Sequence, residues 1–164
     1  MDKETQILFG KINKIPPKIF YKKVANSIKS NIKFKLLTLT VIDKSLSFVE
    51  RVYTSNSKIY PLLGIKLIPK NNWNENVIKQ KKNYILRTKN EIKKIYYDYE
   101  IIFSLGCGSI INYLVLFNGK HLGTINILHK EKYYKKKHIK DLEKYSKLLL
   151  PFFINHQIGM KKKK

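Results

Sequence analysis

Residues Ser104–His129, SLGCGSIINYLVLFNGKHLGTINILH, decide the fold that this sequence predicts. The dipeptide Asn118-Gly119 near the middle is typical of a type I′ hairpin turn, because both central residues of that turn need positive φ angles. β-Branched and aromatic residues on either side predict two antiparallel strands, 110–117 and 121–128. Both faces of this hairpin are largely apolar, so we expect it to lie centrally in a sheet that is covered on both sides.

Counting outward from a Phe117–Lys120 pair divides the hairpin side chains between the two faces of the sheet. The count places on one face Ser109, Tyr113, Thr124 and Asn126, and on the other Asn112, Ile125 and Ile127. Asn112 and Asn126 would therefore lie on opposite faces.

The rest of the sequence predicts helices and strands that would enclose this hairpin. The expected elements are, in chain order, a helix from Pro16-Pro17 to about residue 31, strands 34–43 and 48–54, an irregular loop 55–72, a short helix 75–82, a strand 84–87, a helix 91–105, the hairpin, and a helix 135–157. Pro151 is expected to kink or divide the last helix. Pairs of strands separated by helices predict an antiparallel sheet with helices on its faces, which is the α+β class.

The composition favours a single folded domain. The chain has 164 residues, 43% of them hydrophobic, and no apolar run near the ~18 residues that a membrane span needs. The N-terminus lacks the basic-then-apolar order of a secretory signal, and a single cysteine excludes an internal disulfide. We therefore expect a cytoplasmic protein.

The net charge of +23 does not by itself indicate a nucleic-acid partner. Only two of the 34 basic residues are arginines, and the lysines are scattered along the chain instead of forming one stripe. Abundant Lys, Ile, Asn and Tyr are typical of an AT-rich genome, which enriches surface lysine whatever the protein binds. We therefore do not expect nucleic-acid binding.

The order of the predicted elements resembles that of a GAF domain over residues 15–158. The resemblance rests on Ser109 and Val115 with five residues between them, followed by Asn118-Gly119, Leu122-Gly123-Thr124 and a closing helix. The stretch ERVYTSNSKIYPLLG (50–64), Trp73 and the hairpin are also similar to a group of small bacterial proteins that consist of one GAF domain.

The resemblance implies a GAF/PAS-like six-stranded antiparallel sheet. The first and last helices would pack together on one face and often dimerise, while the long loop and the middle helices would roof a small-molecule pocket on the other face. Ser109, Tyr113, Thr124 and Asn126 would then face the pocket. A flexible segment 1–14 and a basic tail 159–164 would flank the domain.

The sequence does not identify a cofactor, but it argues against two ligand classes that other GAF domains bind. Cyclic-nucleotide-binding members carry an acidic pair after the last strand, where this sequence has Lys137-His138. Bilin-binding members attach the chromophore through a Cys followed by His, whereas Cys107 precedes Gly108. We therefore expect neither a cyclic nucleotide nor a bilin.

The predicted ligand-binding residues combine the pocket face with unusual side chains of the loop and the strand ends. They are Arg51, Tyr53, Tyr60, Trp73, Cys107, Ser109, Tyr113, Thr124, Asn126 and His129. Arg51 stands out because its planar guanidinium grips a carboxylate or phosphate as lysine cannot, although an internal acid such as Glu100 is an equal alternative. Trp73 and Tyr60 would form an aromatic lid or anchor the loop. A lone His129 does not predict a metal site.

Three functions remain open from the sequence. The leading hypothesis is a stand-alone, non-catalytic GAF-type sensor that binds a small polar or anionic ligand beneath the Trp73 loop, with output through a homodimer or a separate partner. The alternative is a thiol-dependent reductase of a small oxidised metabolite, similar to the free methionine sulfoxide reductases, with Cys107 as nucleophile. The third is a dimerisation module in which the apolar stripe 139–153 is buried between two chains.

Overall fold

The structure is a computed structural model that describes residues 2–160, and its centre is an antiparallel sheet between two layers of helix and loop. The strands are β1 (Leu36–Ile42), β2 (Phe48–Thr54), β3 (Ile65–Leu67), β4 (Tyr84–Leu86), β5 (Ser109–Phe117) and β6 (Lys120–His129). The helices are α1 (Lys3–Phe9), α2 (Pro17–Asn31), α3 (Lys89–Ile95), α4 (Tyr99–Ser104) and α5 (Lys136–Gly159), with a π-helical turn at Asn74–Lys79.

The strands form one six-stranded sheet in the order β3-β2-β1-β6-β5-β4, and every neighbouring pair is antiparallel. The predicted α+β class and the central hairpin are therefore confirmed. Asn118 and Gly119 have φ angles of 48° and 71°, as a type I′ turn requires, and Phe117 pairs with Lys120.

One face of the sheet is covered by α1, α2 and α5. Phe20 and Val24 of α2 pack with Tyr145 and Phe153 of α5 against Ile125 and other strand residues, and all of these side chains are buried. The two helices are also joined by hydrogen bonds, since the Tyr145 hydroxyl meets Ser27 at 3.1 Å and accepts from Asn31 at 2.7 Å. The largest hydrophobic core therefore lies on this face.

The other face is roofed by the loop 55–72, the π-helical turn, α3 and α4. Two smaller clusters hold this roof, one around Ile92, Ile102 and Ile110 and one around Trp73 and Val77. The two clusters are separate from each other, and residues of both line a space between the sheet and the roof.

Several elements differ from the sequence-based expectation. The predicted helix 91–105 is interrupted at Tyr96–Asp98, because Tyr96 turns extended at the end of α3 (φ −108°, ψ 119°). The loop 55–72 contains the edge strand β3, and the short helix is a π-helical turn. Pro151 does not divide α5, which runs on through it, and the proline ring lies at an exposed position.

The N-terminal segment contains more structure than expected. Asp2 caps α1 by accepting from the Thr5 amide at 2.9 Å, and Leu8 is buried where α1 meets α2 and α5. Of the expected basic tail, residues 161–164 lie outside the described residues.

Two β-bulges change which side chains face the roof. Val115 pairs with Gly123 but Leu116 pairs with His121, so Leu122 has no partner on β5. Between β1 and β2, Leu39 pairs with Tyr53 and Thr40 with Arg51, so Val52 is the extra residue.

Because each bulge reverses the alternation of side chains beyond it, the faces predicted by counting from the turn are partly wrong. Ser109 and Tyr113 lie on the face covered by α2 and α5, not on the roofed face, and so does Tyr53, which was predicted to bind the ligand. Asn112 pairs directly with Asn126, so the two amides share the roofed face instead of lying on opposite sides. As predicted, Thr124 and Asn126 lie on the roofed face, and Ile125 and Ile127 pack on the face covered by the helices.

Candidate functional site

A cavity of about 350 Å³ lies between the sheet and its roof. Its floor is formed by β1, β6 and β5, and its roof by residues 59–69, Trp73 and residues 95–102. Ligand pockets in proteins usually measure about 300–1,000 Å³, so this cavity suits a small molecule.

A chain of hydrogen bonds crosses the cavity floor from the roof to β1. The Trp73 indole donates to Asn112 Oδ1 at 3.2 Å, and the Tyr96 hydroxyl donates to the same oxygen at 2.9 Å. Asn112 Nδ2 donates to Asn126 Oδ1 at 2.7 Å, and Asn126 Nδ2 donates to Thr38 Oγ1 at 3.2 Å. The strand register places these groups in line, because Thr38 is opposite Asn126 and Asn126 is opposite Asn112.

A second polar pair lies beside this chain on the floor. The hydroxyls of Thr40 and Thr124, which are directly opposite each other on β1 and β6, are 2.6 Å apart. Both side chains are buried and line the cavity. Two neighbouring rows of paired residues on the floor therefore carry hydrogen-bonding side chains.

Three charged side chains stand at the roofed edge of the cavity: Arg51, Lys66 and Asp98. Lys66 Nζ is 3.6 Å from Asp98 Oδ1, and the Tyr60 hydroxyl donates to Asp98 Oδ2 at 2.9 Å. Burial raises the pKa of the Tyr60 hydroxyl, and the Asp98 charge raises it further, so Tyr60 keeps its proton and acts as a donor.

Arg51 is held under the loop by its backbone and by Pro61. Its amide donates to the Gly64 carbonyl at 3.0 Å, its Nη1 donates to the Pro61 carbonyl at 2.8 Å, and its guanidinium carbon lies 5.1 Å from the Tyr60 ring centroid. A Cβ on Gly64 would come within 2.7 Å of Arg51 Nη1, so a larger residue here would displace the Arg51 guanidinium from its present position.

Two buried polar atoms in this cluster have no hydrogen-bond partner within the described residues: Arg51 Nε and Asp98 Oδ1. Burial lowers the pKa of the Lys66 ammonium while the nearby Asp98 carboxylate raises it, and the same two effects act on Arg51. An unpaired buried donor or acceptor destabilises the arrangement that contains it. These atoms therefore mark the site as incomplete in its hydrogen bonding.

The cavity brings together half of the predicted site residues. Those that line it are Arg51, Tyr60, Trp73, Thr124 and Asn126. Trp73 and Tyr60 both contact the cavity and anchor the roof, so the two alternatives considered for them are compatible. The acid next to Arg51 and Lys66 is Asp98 and not Glu100, which is exposed.

The other predicted residues lie elsewhere. Tyr53 and Tyr113 pack against the helix-covered core, and the Ser109 hydroxyl donates to the Lys130 carbonyl at 2.8 Å. The His129 ring stacks on Tyr133 with 3.8 Å between ring centroids. Burial and the neighbouring lysines lower the pKa of His129.

Cys107 is completely buried and does not line the cavity. Burial raises the pKa of its thiol to about 11. Because the thiolate is the reactive form, a buried thiol with a raised pKa is poorly suited to act as a nucleophile. The position of Cys107 therefore gives the reductase alternative no support.

Sequence reasoning missed more than half of the polar lining. The missed residues are Thr38, Thr40, Lys66, Tyr96, Tyr97, Asp98 and Asn112. Thr38 and Thr40 were detectable as two polar side chains at period-two spacing in an otherwise apolar strand. Lys66, Tyr96 and Asp98 lie in the unpredicted β3 and in the unpredicted break between α3 and α4, so no pattern indicated them.

Comparisons with solved structures match this arrangement over nearly the whole chain. The GAF domain of an Acinetobacter phosphoenolpyruvate-protein phosphotransferase is similar with a TM-score of 0.69 and 13% identity, covering 95% of this chain and 94% of that one. The corresponding domain from Coxiella burnetii is similar with a TM-score of 0.68 and 14% identity, covering 96% and 95%. This protein has the GAF-domain fold. The GAF domain of a two-component sensor histidine kinase from Bacillus halodurans is also similar, with a TM-score of 0.65, 13% identity, and 86% and 95% covered.

The GAF fold is supported by structure and not by sequence similarity. No family model matches the chain, and no curated protein matches it either. Within residues 2–160, no helix is long and apolar enough to cross a membrane, and no three His, Cys, Asp or Glu side chains come together as potential metal ligands.

Proposed function

We propose that this protein is a non-catalytic GAF-type sensor that binds a small polar or anionic molecule in the cavity between the sheet and the roof. The observation that carries the proposal is the cavity itself, which is open, of ligand size, and lined by hydrogen-bonding side chains, among them Arg51, whose buried Nε has no hydrogen-bond partner within the described residues. The similar GAF domain of a sensor histidine kinase supports a sensory context.

The sheet offers a short route from the cavity to the helices. On β6, Asn126 faces the cavity while its neighbours Ile125 and Ile127 pack against the helix-covered core. The end of α5 is tied to the same strands, because Gln157 Nε2 donates to the carbonyls of Ile42 at 2.7 Å and His121 at 2.8 Å. A ligand that shifts β1 or β6 would therefore shift α5, which would act on a second copy or on a separate partner.

Native mass spectrometry of the purified protein tests the proposal. We expect a reproducible added mass on the folded chain that is lost on denaturation. Thr38→Leu, which fills the cavity from the floor, should abolish the added mass, whereas Tyr53→Phe on the opposite face of the sheet should retain it. The same spectra give the oligomeric state.

The proposal fails if the protein carries no small molecule and if no anionic, zwitterionic, cationic or neutral metabolite raises its melting temperature. Added mass that survives in Thr38→Leu would place the binding outside the cavity and would also contradict it.

A further inference from the structure

Trp73 fixes the direction of the hydrogen-bond chain on the cavity floor. An indole N–H can only donate, so the Asn112 atom that faces Trp73 must be the amide oxygen. The Asn112 nitrogen then faces Asn126 and donates to its oxygen, which turns the Asn126 nitrogen towards Thr38. The chain therefore runs one way, and Thr38 is its final acceptor.

This direction leaves donors on the floor for a ligand. The Thr38 hydroxyl accepts from Asn126, so its own proton is available to the cavity, and each of the two amides has a second N–H hydrogen beyond the one used in the chain. Thr40 and Thr124 share one hydrogen, which leaves the hydrogen of the other hydroxyl. The complementary ligand group is one rich in acceptors.

The charges at the edge favour the same kind of group. Among residues 2–160, Arg51 and Lys66 face the cavity with a single carboxylate, Asp98, so one positive charge is uncompensated there. A carboxylate supplies one negative charge, whereas a phosphate at neutral pH supplies about −1.5 to −2 and would exceed what the cavity balances. Arg51 Nη1 is occupied by the Pro61 carbonyl, whereas its buried Nε has no hydrogen-bond partner within the described residues and so remains a free donor.

Much of the remaining wall is apolar. Leu36, Ile110 and Leu128 line the cavity side of the sheet, and the partly exposed Ile101 and Leu67 line its rim. These surfaces require an apolar body on the ligand, because they offer nothing to a second polar group.

We propose that the cavity binds a small monocarboxylate, whose acid group accepts hydrogen bonds from the floor and contacts Arg51 and Lys66 at the edge. Trp73 is the positioning residue, because it sets the direction of the hydrogen-bond chain and so leaves donors on the floor. This inference rests on the proposed function and narrows its ligand class. Trp73 acts through Asn112 and Asn126: without the indole N–H, the chain is free to reverse, because the Tyr96 hydroxyl can accept as well as donate.

Three six-carbon probes that differ only in the head group test the ligand class by isothermal titration calorimetry: hexanoate, hexanamide and hexylammonium. We expect hexanoate to bind at least about tenfold more tightly than hexanamide, as hydrogen bonds to a charged group would give. Hexylammonium should bind most weakly of the three.

Two matched variants test the role of Trp73. Trp73→Phe should reduce the preference for hexanoate over hexanamide to about twofold or less, whereas Tyr96→Phe, which removes the other donor to Asn112 Oδ1 but keeps the indole, should retain it. If Trp73 only supported the roof, its loss would weaken the binding of hexanoate and hexanamide equally and leave the ratio of their affinities unchanged. Thermal unfolding confirms that each variant is folded.

Thr38→Val keeps the shape of the floor but removes the final hydroxyl, so it tests the inference without altering the roof. Hexanoate affinity should fall by about threefold to tenfold, with little change for hexylammonium.

The inference is overturned if hexylammonium binds as tightly as hexanoate, if none of the probes binds, if the preference for hexanoate over hexanamide is unchanged in Trp73→Phe, or if hexanoate affinity is unchanged in Thr38→Val. Each of these results leaves the broader proposal standing when native mass spectrometry finds another kind of molecule in the cavity.

Discussion

At the scale of single residues, Cys107 separates a binding function from thiol chemistry. Its side chain is fully buried and its thiol pKa is raised to about 11. We predict that iodoacetamide at about pH 8, where an ordinary thiol is partly ionised, alkylates the native protein at least about tenfold more slowly than the urea-unfolded protein. Mass spectrometry of timed samples gives both rates. Equal rates in the two states would show that the thiol is accessible and would reopen the reductase alternative.

Asp43 makes the stability of the β1–β2 turn depend on pH. Its carboxylate accepts from the amides of Ser45, Ser47 and Phe48 at 2.9, 2.7 and 2.8 Å. Burial alone would raise its pKa, but the hydrogen bonds from Ser45, Phe48 and Ser47 outweigh burial and hold the pKa below its ordinary value. The ionised form therefore stabilises the fold fully above about pH 4, and this contribution disappears as the pH falls through the lowered pKa.

We predict that Asp43→Asn lowers the free energy of unfolding at neutral pH by about 1–3 kcal/mol. Between about pH 4 and pH 2 the variant should lose less stability than the parent protein, because it has no carboxylate to protonate there. Urea unfolding followed by circular dichroism at several pH values measures both. Parallel stability curves for the two proteins would contradict the assignment. Asp141→Asn, at an exposed position of α5, is a suitable control.

At the scale of elements, two glycines of the central hairpin are needed for different reasons. Gly119 occupies the turn with φ at 71° and nothing within 4 Å of a Cβ built there, so Gly119→Ala meets only backbone strain. A Cβ on Gly123 would lie 2.1 Å from the Thr40 carbonyl oxygen and 2.8 Å from the Phe153 ring. The first substitution should cost about 1 kcal/mol and the second about 3 kcal/mol.

Urea unfolding of the two variants measures this difference. Comparable losses would mean that β1 and α5 move apart easily at Gly123. A larger loss for Gly119→Ala would mean that the turn, and not the packing against α5, limits the hairpin.

The hairpin also shows how far sequence could predict this fold. The Asn-Gly turn, the pairing of Phe117 with Lys120 and the sheet class follow from local chemistry. The faces of β5 relative to β6 do not, because one unpaired residue, Leu122, reverses the alternation beyond it. Nothing in LVLFNGKHLG distinguishes a regular ladder from a bulged one, since apolar residues fill both faces.

Only part of the candidate site could be predicted from the sequence, because some of its residues are positioned by contacts between distant parts of the chain. Arg51, Trp73 and Asn126 are unusual in their sequence context and lie in the cavity. Asp98 and Tyr96 depend on the break between α3 and α4, which is set by tertiary contacts such as the bond from Tyr96 to Asn112 at 2.9 Å. Local propensity contains no information about such contacts.

At the scale of the whole molecule, the net charge of +23 should oppose folding. We predict that raising sodium chloride from about 0.02 to 0.3 M increases the melting temperature, because screening reduces repulsion among the lysines. Differential scanning calorimetry measures the change, and an equal concentration of a neutral osmolyte is the control. A fall in the melting temperature would show that the described ion pairs, such as Lys144 with Asp2 at 2.7 Å, outweigh the repulsion.

The core on the helix side constrains how two copies would meet. Leu142, Tyr145, Leu149 and Phe153 of the apolar stripe on α5 are buried within one chain. The dimerisation hypothesis, which places this stripe between two chains, therefore loses the residues that motivated it. Any contact between copies would have to use other side chains.

The position of Trp73 has a practical consequence for following this protein in solution. It is the single tryptophan of the chain, its indole is hydrogen-bonded to the floor, and it forms part of the cavity roof. Light emitted by tryptophan therefore comes from one known place, and neighbouring tyrosines such as Tyr96 would pass excitation to it. A molecule entering the cavity would change the intensity or colour of that emission, so occupancy can be read without attaching any dye.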